Sequence, residues 1–269
     1  MQTERVAECT GVVKIYWTET GEVHALKGID AGFGARAVTA VVGPSGSGKS
    51  SLLRILAGID RQTAGSVTVA GERVSELKPG GLRKLRRRTV SWVYQRPSDN
   101  LVPYLTARRH LEQAAAARRG SGDDIDAVME GLGIAGRASH LPSELSGGEQ
   151  QRLAFAQAMV GSPSLVIADE PTAELDSHSA AALLESVSAF TERGLSFILS
   201  THDPELVRMA DATIHLRHGA LEGESAQAEM LSVIDEAGRI QLPPRALKLF
   251  GDRRAVIEVR EDDVRIKPP

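Results

Sequence analysis

Eight residues, Gly43-Pro-Ser-Gly-Ser-Gly-Lys49-Ser50, limit what this chain can fold into more than any other stretch. They have the spacing G-x-x-x-x-G-K-[ST] and follow an apolar run, Ala40-Val-Val42. Glycines at 43, 46 and 48 open backbone conformations closed to residues with a Cβ, so successive N–H groups can turn inward onto an anion. Ser51-Leu-Leu-Arg-Ile-Leu-Ala57 then has helical apolar spacing. A helix starting near Lys49 adds unpaired N–H groups and the positive end of its dipole. Lys49 can reach the β- and γ-phosphates of a nucleotide, and the Ser50 hydroxyl can ligate Mg²⁺. Gly43, Pro44, Ser45, Gly46, Ser47, Gly48, Lys49, Ser50 and Ser51 are therefore expected to hold ATP or GTP.

Other strand ends carry polar residues of the kind such a loop needs. Leu165-Val-Ile-Ala168 runs into Asp169-Glu170, two acids that are costly to bury unless paired, coordinated or functional. Gln95 closes the apolar stretch Val90-Ser-Trp-Val-Tyr94, and His202 follows Phe197-Ile-Leu199. A lone Gln or His after a strand is ordinarily a surface or structural residue. Several such ends pointing to one site is the arrangement expected of a ligand crevice in an open parallel sheet. Leu145-Ser-Gly-Gly-Glu-Gln-Gln-Arg152 places a serine and a glycine pair ahead of a helical pattern, a second helix-start anion site.

The two glycine segments, in this order, resemble those of the ATP-binding subunit of an ABC transporter, over residues from about 5 to 224. The resemblance implies an α/β fold of the P-loop NTPase type: a mixed sheet core, an antiparallel β-subdomain and a helical subdomain. It implies that Tyr16 stacks on adenine, that Ser50, Gln95 and Asp169 organise Mg²⁺, that Glu170 polarises the attacking water and that His202 contacts the γ-phosphate. Ser146, Gly147, Gly148 and Glu149 would close over the γ-phosphate held by another subunit, so a homodimer around two MgATP is expected. Asp176 matches a loop passing between the subunits, although Ala173-Glu174 stand where Ser-Ala is usual. Tyr94-Gln-Arg-Pro97 and Leu101–Ala107 match the region that receives a transmembrane permease subunit. With Glu22-Val-His-Ala-Leu-Lys-Gly28, they are similar to the branch serving lipoprotein release, macrolide efflux and cell division. Where that branch has Glu-Asn-Val, this chain has Arg108-Arg-His-Leu111.

Composition is compatible with these expectations. The 269 residues suffice for one large domain and a small appendage. A net charge of −3 exerts no general pull toward nucleic acid or anionic lipid. The single cysteine, Cys9, cannot form an internal disulfide, which suits a reducing cytosol. No apolar run approaches the roughly 18 residues of a membrane span. The expected location is cytoplasmic and peripheral on the inner face of the cell membrane, reached only through the permease.

Along the chain, residues 6–42 alternate and are expected to form antiparallel strands, with Ser66–Val69 another strand before a turn at Gly71. Residues 96–160 should be helical, and 165–222 should alternate strands and helices. The basic run Arg83-Lys-Leu-Arg-Arg-Arg88 reads as a solvated helix face.

Beyond Gly223 the composition changes, and residues 1–224 and 225–269 read as separate domains. Val233–Arg245 resembles the hairpin of AbrB-type swapped-hairpin domains, and Ala255–Val259 and Asp263–Ile266 supply two alternating strands. Such short units interlock in pairs, so this appendage is expected to reinforce dimerisation. A DNA-directed ATPase or regulator acting through it is the alternative. From Asp235 to Pro269 eight Lys/Arg face seven Asp/Glu, a net of +1, which is less basic than DNA binding ordinarily requires.

Overall fold

The computed structural model describes residues 4–19, 21–118, 125–173, 175–226, 229–231, 250, 255–259 and 264–267. Two long strands, β1 (Arg5–Thr18) and β2 (Gly21–Gly34), form an antiparallel pair. The next strand, β3 (Val38–Val42), leaves them and runs parallel to two strands from the far end of the cassette. The expectation of antiparallel strands throughout 6–42 is corrected there. Val38 and Ala40 pack into one core and Val41 into another. Apolar side chains on both faces mark a central parallel strand rather than a half-solvated one.

After the glycine loop come α1 (Lys49–Leu56), β4 (Ala64–Val69) and the two-residue β5 (Glu72–Arg73), which complete a four-stranded sheet in the order β2-β1-β4-β5. Next is α2 (Pro79–Arg88), with proline at its first position, where no intrahelical N–H bond is lost. It buries Leu82 and Leu85 and leaves the side chains of Arg83, Lys84, Arg86 and Arg87 exposed. Strand β6 (Val90–Val93) precedes three helices: α3 (Ala107–Arg118), α4 (Ile125–Gly131) and α5 (Gly147–Met159). Within the expected helical stretch 96–160 a short 3₁₀ turn at 97–100 precedes α3, and two more, at 135–137 and 142–144, lie between α4 and α5.

The cassette ends with β7 (Leu165–Asp169), α6 (Ser177–Glu192), β8 (Ser196–Ser200), α7 (Pro204–Met209), β9 (Ala212–Arg217), β10 (Ala220–Ala226) and β11 (Glu229–Leu231). The main sheet has the order β11-β10-β9-β3-β8-β7-β6. Strands β9, β3, β8, β7 and β6 are parallel, and β10 and β11 add antiparallel edges. One core joins the sheet to α1, α2 and the four-stranded sheet; the other joins it to α3, α4, α5 and α6. Every parallel strand consequently ends on the same side.

Two further strands, β12 (Val256–Val259) and β13 (Val264–Lys267), pair antiparallel with Ile257 opposite Ile266. They coincide with the two alternating segments of the sequence. The hairpin expected at 233–245 lies outside the described residues.

Candidate nucleotide site

Gly43 and Gly48 have φ of +152° and +104°. A Cβ on Gly43 would lie 2.1 Å from the Leu216 carbonyl oxygen, and one on Gly48 2.5 Å from that of Ala25. Both conformation and space therefore exclude any other residue. The loop they shape opens into a cavity of about 880 Å³, within the range of small-molecule sites. Ser45, Gly46, Ser47, Gly48, Lys49, Ser50 and Ser51 line it, together with Tyr16, Gln95, Asp169, Glu170 and His202. Segments far apart in sequence meet because the parallel strands end together above α1.

Lys49 is buried at the cavity floor, where its Nζ donates to the Gly43 carbonyl at 2.7 Å. The same nitrogen lies 3.2 Å from His202 Nε2 and 3.9 Å from Glu170 Oε1. His202 Nε2 is in turn 3.2 Å from Glu170 Oε1. A cation, an imidazole and a carboxylate thus form one contiguous triangle. The buried Ser47 hydroxyl has no hydrogen-bond partner among the described residues, a polar atom facing a cradle built for acceptor oxygens.

Glu170 holds φ at +48°, a strained value for a residue with a Cβ. Ser200 is what holds it there. The Glu170 N–H reaches the Ser200 hydroxyl at 2.9 Å and its carbonyl at 3.2 Å, while the Ser200 hydroxyl donates to Asp169. One fully buried serine at the end of β8 therefore orients both acids at the end of β7. The sequence did carry a signal for it: Ser200 is polar at the end of the apolar run 197–199.

Tyr16 reaches the cavity from the end of β1, its hydroxyl donating to Asp60 Oδ2 at 2.8 Å. Burial tends to raise the Asp60 carboxyl pKa, but hydrogen bonds from Lys14 and Tyr16 outweigh it and hold the pKa below its usual range. Val23, His24 and Ala25 of β2 also line the cavity, and nothing in the motif spacing pointed to them. Trp17 stands on the other side of its strand, 78% exposed.

The second glycine segment does not line this cavity. Ser146 caps α5: its hydroxyl accepts from the Glu149 N–H at 3.3 Å, and the Glu149 carboxylate accepts from the Ser146 N–H at 2.8 Å. Glu149 also accepts from Arg137 Nε at 2.7 Å. The bonds with Arg137 and Ser146 pull its carboxyl down to about 2. Glu149, expected among the ligand-contacting residues, is thus committed to the helix start itself. Ser146 and Gly147 are exposed, on a separate surface of the chain. Asp176 caps α6, accepting from the N–H and hydroxyl of Ser179, which also accepts from Arg152 of α5.

Among the described residues no cluster of three or more His, Cys, Asp or Glu could hold a metal by itself. The oxygens of Ser50, Gln95 and Asp169 fit a different kind of site. Mg²⁺ is commonly bound through one or two carboxylates, here Asp169, and completes its shell with other oxygens, water and substrate phosphates.

A family model described as ABC transporter matches residues 26–173. A second, described as an AAA domain of a putative AbiEii toxin, matches 141–208. The lipoprotein-releasing system ATP-binding protein LolD of Syntrophotalea carbinolica is 38% identical over 221 residues, 80% of this chain and 96% of that protein. The macrolide export ATP-binding/permease protein MacB of Shigella flexneri is 34% identical over 216 residues, 79% of this chain but 33% of its own length. A dimeric post-hydrolysis structure of the ATP-binding cassette MJ0796 with ADP and Pi superposes with a TM-score of 0.74 at 31% identity, covering 83% of this chain and 99% of that one.

Proposed function

The chain belongs to the ABC transporter family as an ATP-hydrolysing subunit, and from that premise we propose how its residues divide the work. The observation that carries the reading is the convergence of the glycine loop, Tyr16, Gln95, Asp169, Glu170 and His202 on one cavity. ATP lies there with its base on Tyr16 and its phosphates on N–H groups of the glycine loop and the start of α1. Lys49 exchanges the Gly43 carbonyl for phosphate oxygens. Ser50, Asp169 and Gln95 would hold Mg²⁺, which supplies charge neutralisation at the β- and γ-phosphates. Glu170 polarises the attacking water, and His202 bridges Lys49 and Glu170 to fix the γ-phosphate between them.

Ser146 and the amides of Gly147 and Gly148 act on the nucleotide of a second copy, so two chains enclose two MgATP. A separate membrane permease receives the resulting motion on the 94–107 face and brings the subunit to the inner face of the cell membrane. Among the described residues no helix is long and apolar enough to cross a membrane. The AbrB-like resemblance then belongs to the chain beyond β11, since β10 and β11 complete the main sheet, and we read that part as interlocking with its counterpart in a second copy. The exposed Ile257, on a two-stranded pair too small to be stable alone, supports that reading.

Glu170→Gln removes the base while keeping the shape of the site. MgATP hydrolysis, followed as phosphate release, should fall by roughly 10²–10⁴-fold, and ATP should remain bound. Turnover within a few-fold of the unaltered chain would remove Glu170 from the mechanism. Copurification of a polytopic membrane protein with the full chain tests the permease; capture of specific DNA instead would favour the regulatory alternative.

A further inference from the structure

Lys14 and Tyr16 lie two residues apart on β1, on either side of a register shift at Lys14–Ile15, and their side chains meet. Tyr16 lines the nucleotide cavity and Lys14 does not. The Lys14 Nζ stands over the tyrosine ring, 4.6 Å from its centroid. Only 9% of Lys14 is exposed, and a buried ammonium must be paired. It donates to Asp60 Oδ1 at 2.8 Å and to the Arg61 carbonyl at 2.7 Å. The other oxygen of the same carboxylate accepts the Tyr16 hydroxyl at 2.8 Å. That hydroxyl is also 3.3 Å from Ser51 Oγ, on the first turn of the phosphate-binding helix.

We propose that Asp60, backed by Lys14, is the positioning residue of the base subsite: it fixes the Tyr16 ring as a stacking platform and ties that platform to α1. The inference rests on the reading of the cavity as an ATP site. A free tyrosine at a strand end would lose rotamer freedom on binding a base. Here the ring is ordered beforehand by a cation on one face and two hydroxyl contacts, so the base meets a preorganised surface. The link to Ser51 keeps base and phosphate subsites at a constant spacing. Stacking recognises a π-face that every base has, so the subsite takes GTP as well as ATP.

The test uses the full chain and Asp60→Asn, Lys14→Met and Tyr16→Phe, with KM and kcat measured for ATP and GTP. Inorganic tripolyphosphate, which has phosphates but no base, serves as competitive inhibitor. Asp60→Asn should raise KM for both nucleotides roughly tenfold, with kcat at saturation and the tripolyphosphate Ki each within about twofold of the unaltered chain. Tyr16→Phe removes only the anchored oxygen and should give the same split, even where Asp60→Asn fails to fold. The two changes together should be no worse than either alone. An unchanged KM would overturn the proposal, as would a tripolyphosphate Ki that rises in step with KM, because a merely structural residue would weaken phosphate binding too. If the unaltered chain held tripolyphosphate as tightly as ATP, the base subsite itself would be refuted, independently of Asp60.

Discussion

Two helix starts with glycines before or within them sit in one chain, and they are finished in opposite ways. At α1 the loop leaves a buried hydroxyl without a partner among the described residues, beside a lysine held by loop carbonyls, His202 and Glu170, the last in a strained conformation. At α5 the capping bonds are made: Ser146 and Glu149 satisfy each other and Arg137 neutralises the acid. The first is a cleft lined for an anion; the second is a capped surface feature with Ser146 and Gly147 exposed. On the proposed reading the difference has a use: each chain carries both halves of a site, and a second copy brings the α5 half to the α1 half.

Changes at the two starts should therefore fail differently. The largest effect belongs to Lys49→Ala, which should abolish ATP binding by the chain that carries it. Ser146→Arg should leave binding intact and lower turnover by roughly 10²-fold or more, through loss of the oriented donors at the γ-phosphate. Equilibrium binding of a labelled nucleotide beside phosphate release separates the two; parallel losses in both assays would erase the distinction.

A smaller effect sharpens the reading of α5 as self-capped. Glu149→Gln should cost about 1 kcal/mol, on the scale of a helix cap, or a melting point lower by about 2–4 °C. The acid's pKa is depressed on folding, so its contribution is present above its ordinary range near 4.5 and is lost as pH falls toward about 2. The stability gap between the two proteins, measured by denaturation, should close across that interval. A gap that persisted at the acid end would show that the charge is not what matters.

The smallest effect concerns His110, which stands where the resembled branch has asparagine. Its Nε2 accepts from the Val102 N–H at 2.8 Å and its Nδ1 donates to the Thr106 carbonyl at 2.9 Å, which requires the neutral ring. Burial lowers its pKa below the ordinary 6.5, with the bond to the Thr106 carbonyl opposing in part. The unfolded chain then takes up the proton first, so stability should be complete above about pH 6.5 and decline as pH falls below it. His110→Asn should flatten that slope in thermal unfolding; an unchanged slope would assign it to other groups.

Much of this was legible beforehand because it depends on local spacing. The glycine loop, the acids after 165–168 and the histidine after 197–199 all follow apolar strands, and parallel strands must end together. What remained hidden depends on contacts between distant segments. Asp60 anchors Tyr16 across 44 residues and Ser200 orients Asp169 across 31, and no periodicity encodes either pairing. Strand β3 was misassigned with its antiparallel neighbours because alternation was read through the turn at 34–37, where the chain changes sheets. That Glu149 also serves the start of α5 is equally hidden, because a motif does not reveal which of its members cap the helix.

The central claim is that Ser146 acts on nucleotide held by another chain, and the release rate of bound ATP tests it most directly. With Glu170→Gln blocking hydrolysis, labelled ATP should dissociate slowly, and adding Ser146→Arg should speed release by roughly tenfold or more. An excess of Lys49→Ala chains, which bring an intact Ser146 but hold no nucleotide, should restore slow release. Release that stays fast despite those chains, or that never depends on Ser146, would contradict a pocket shared between two copies.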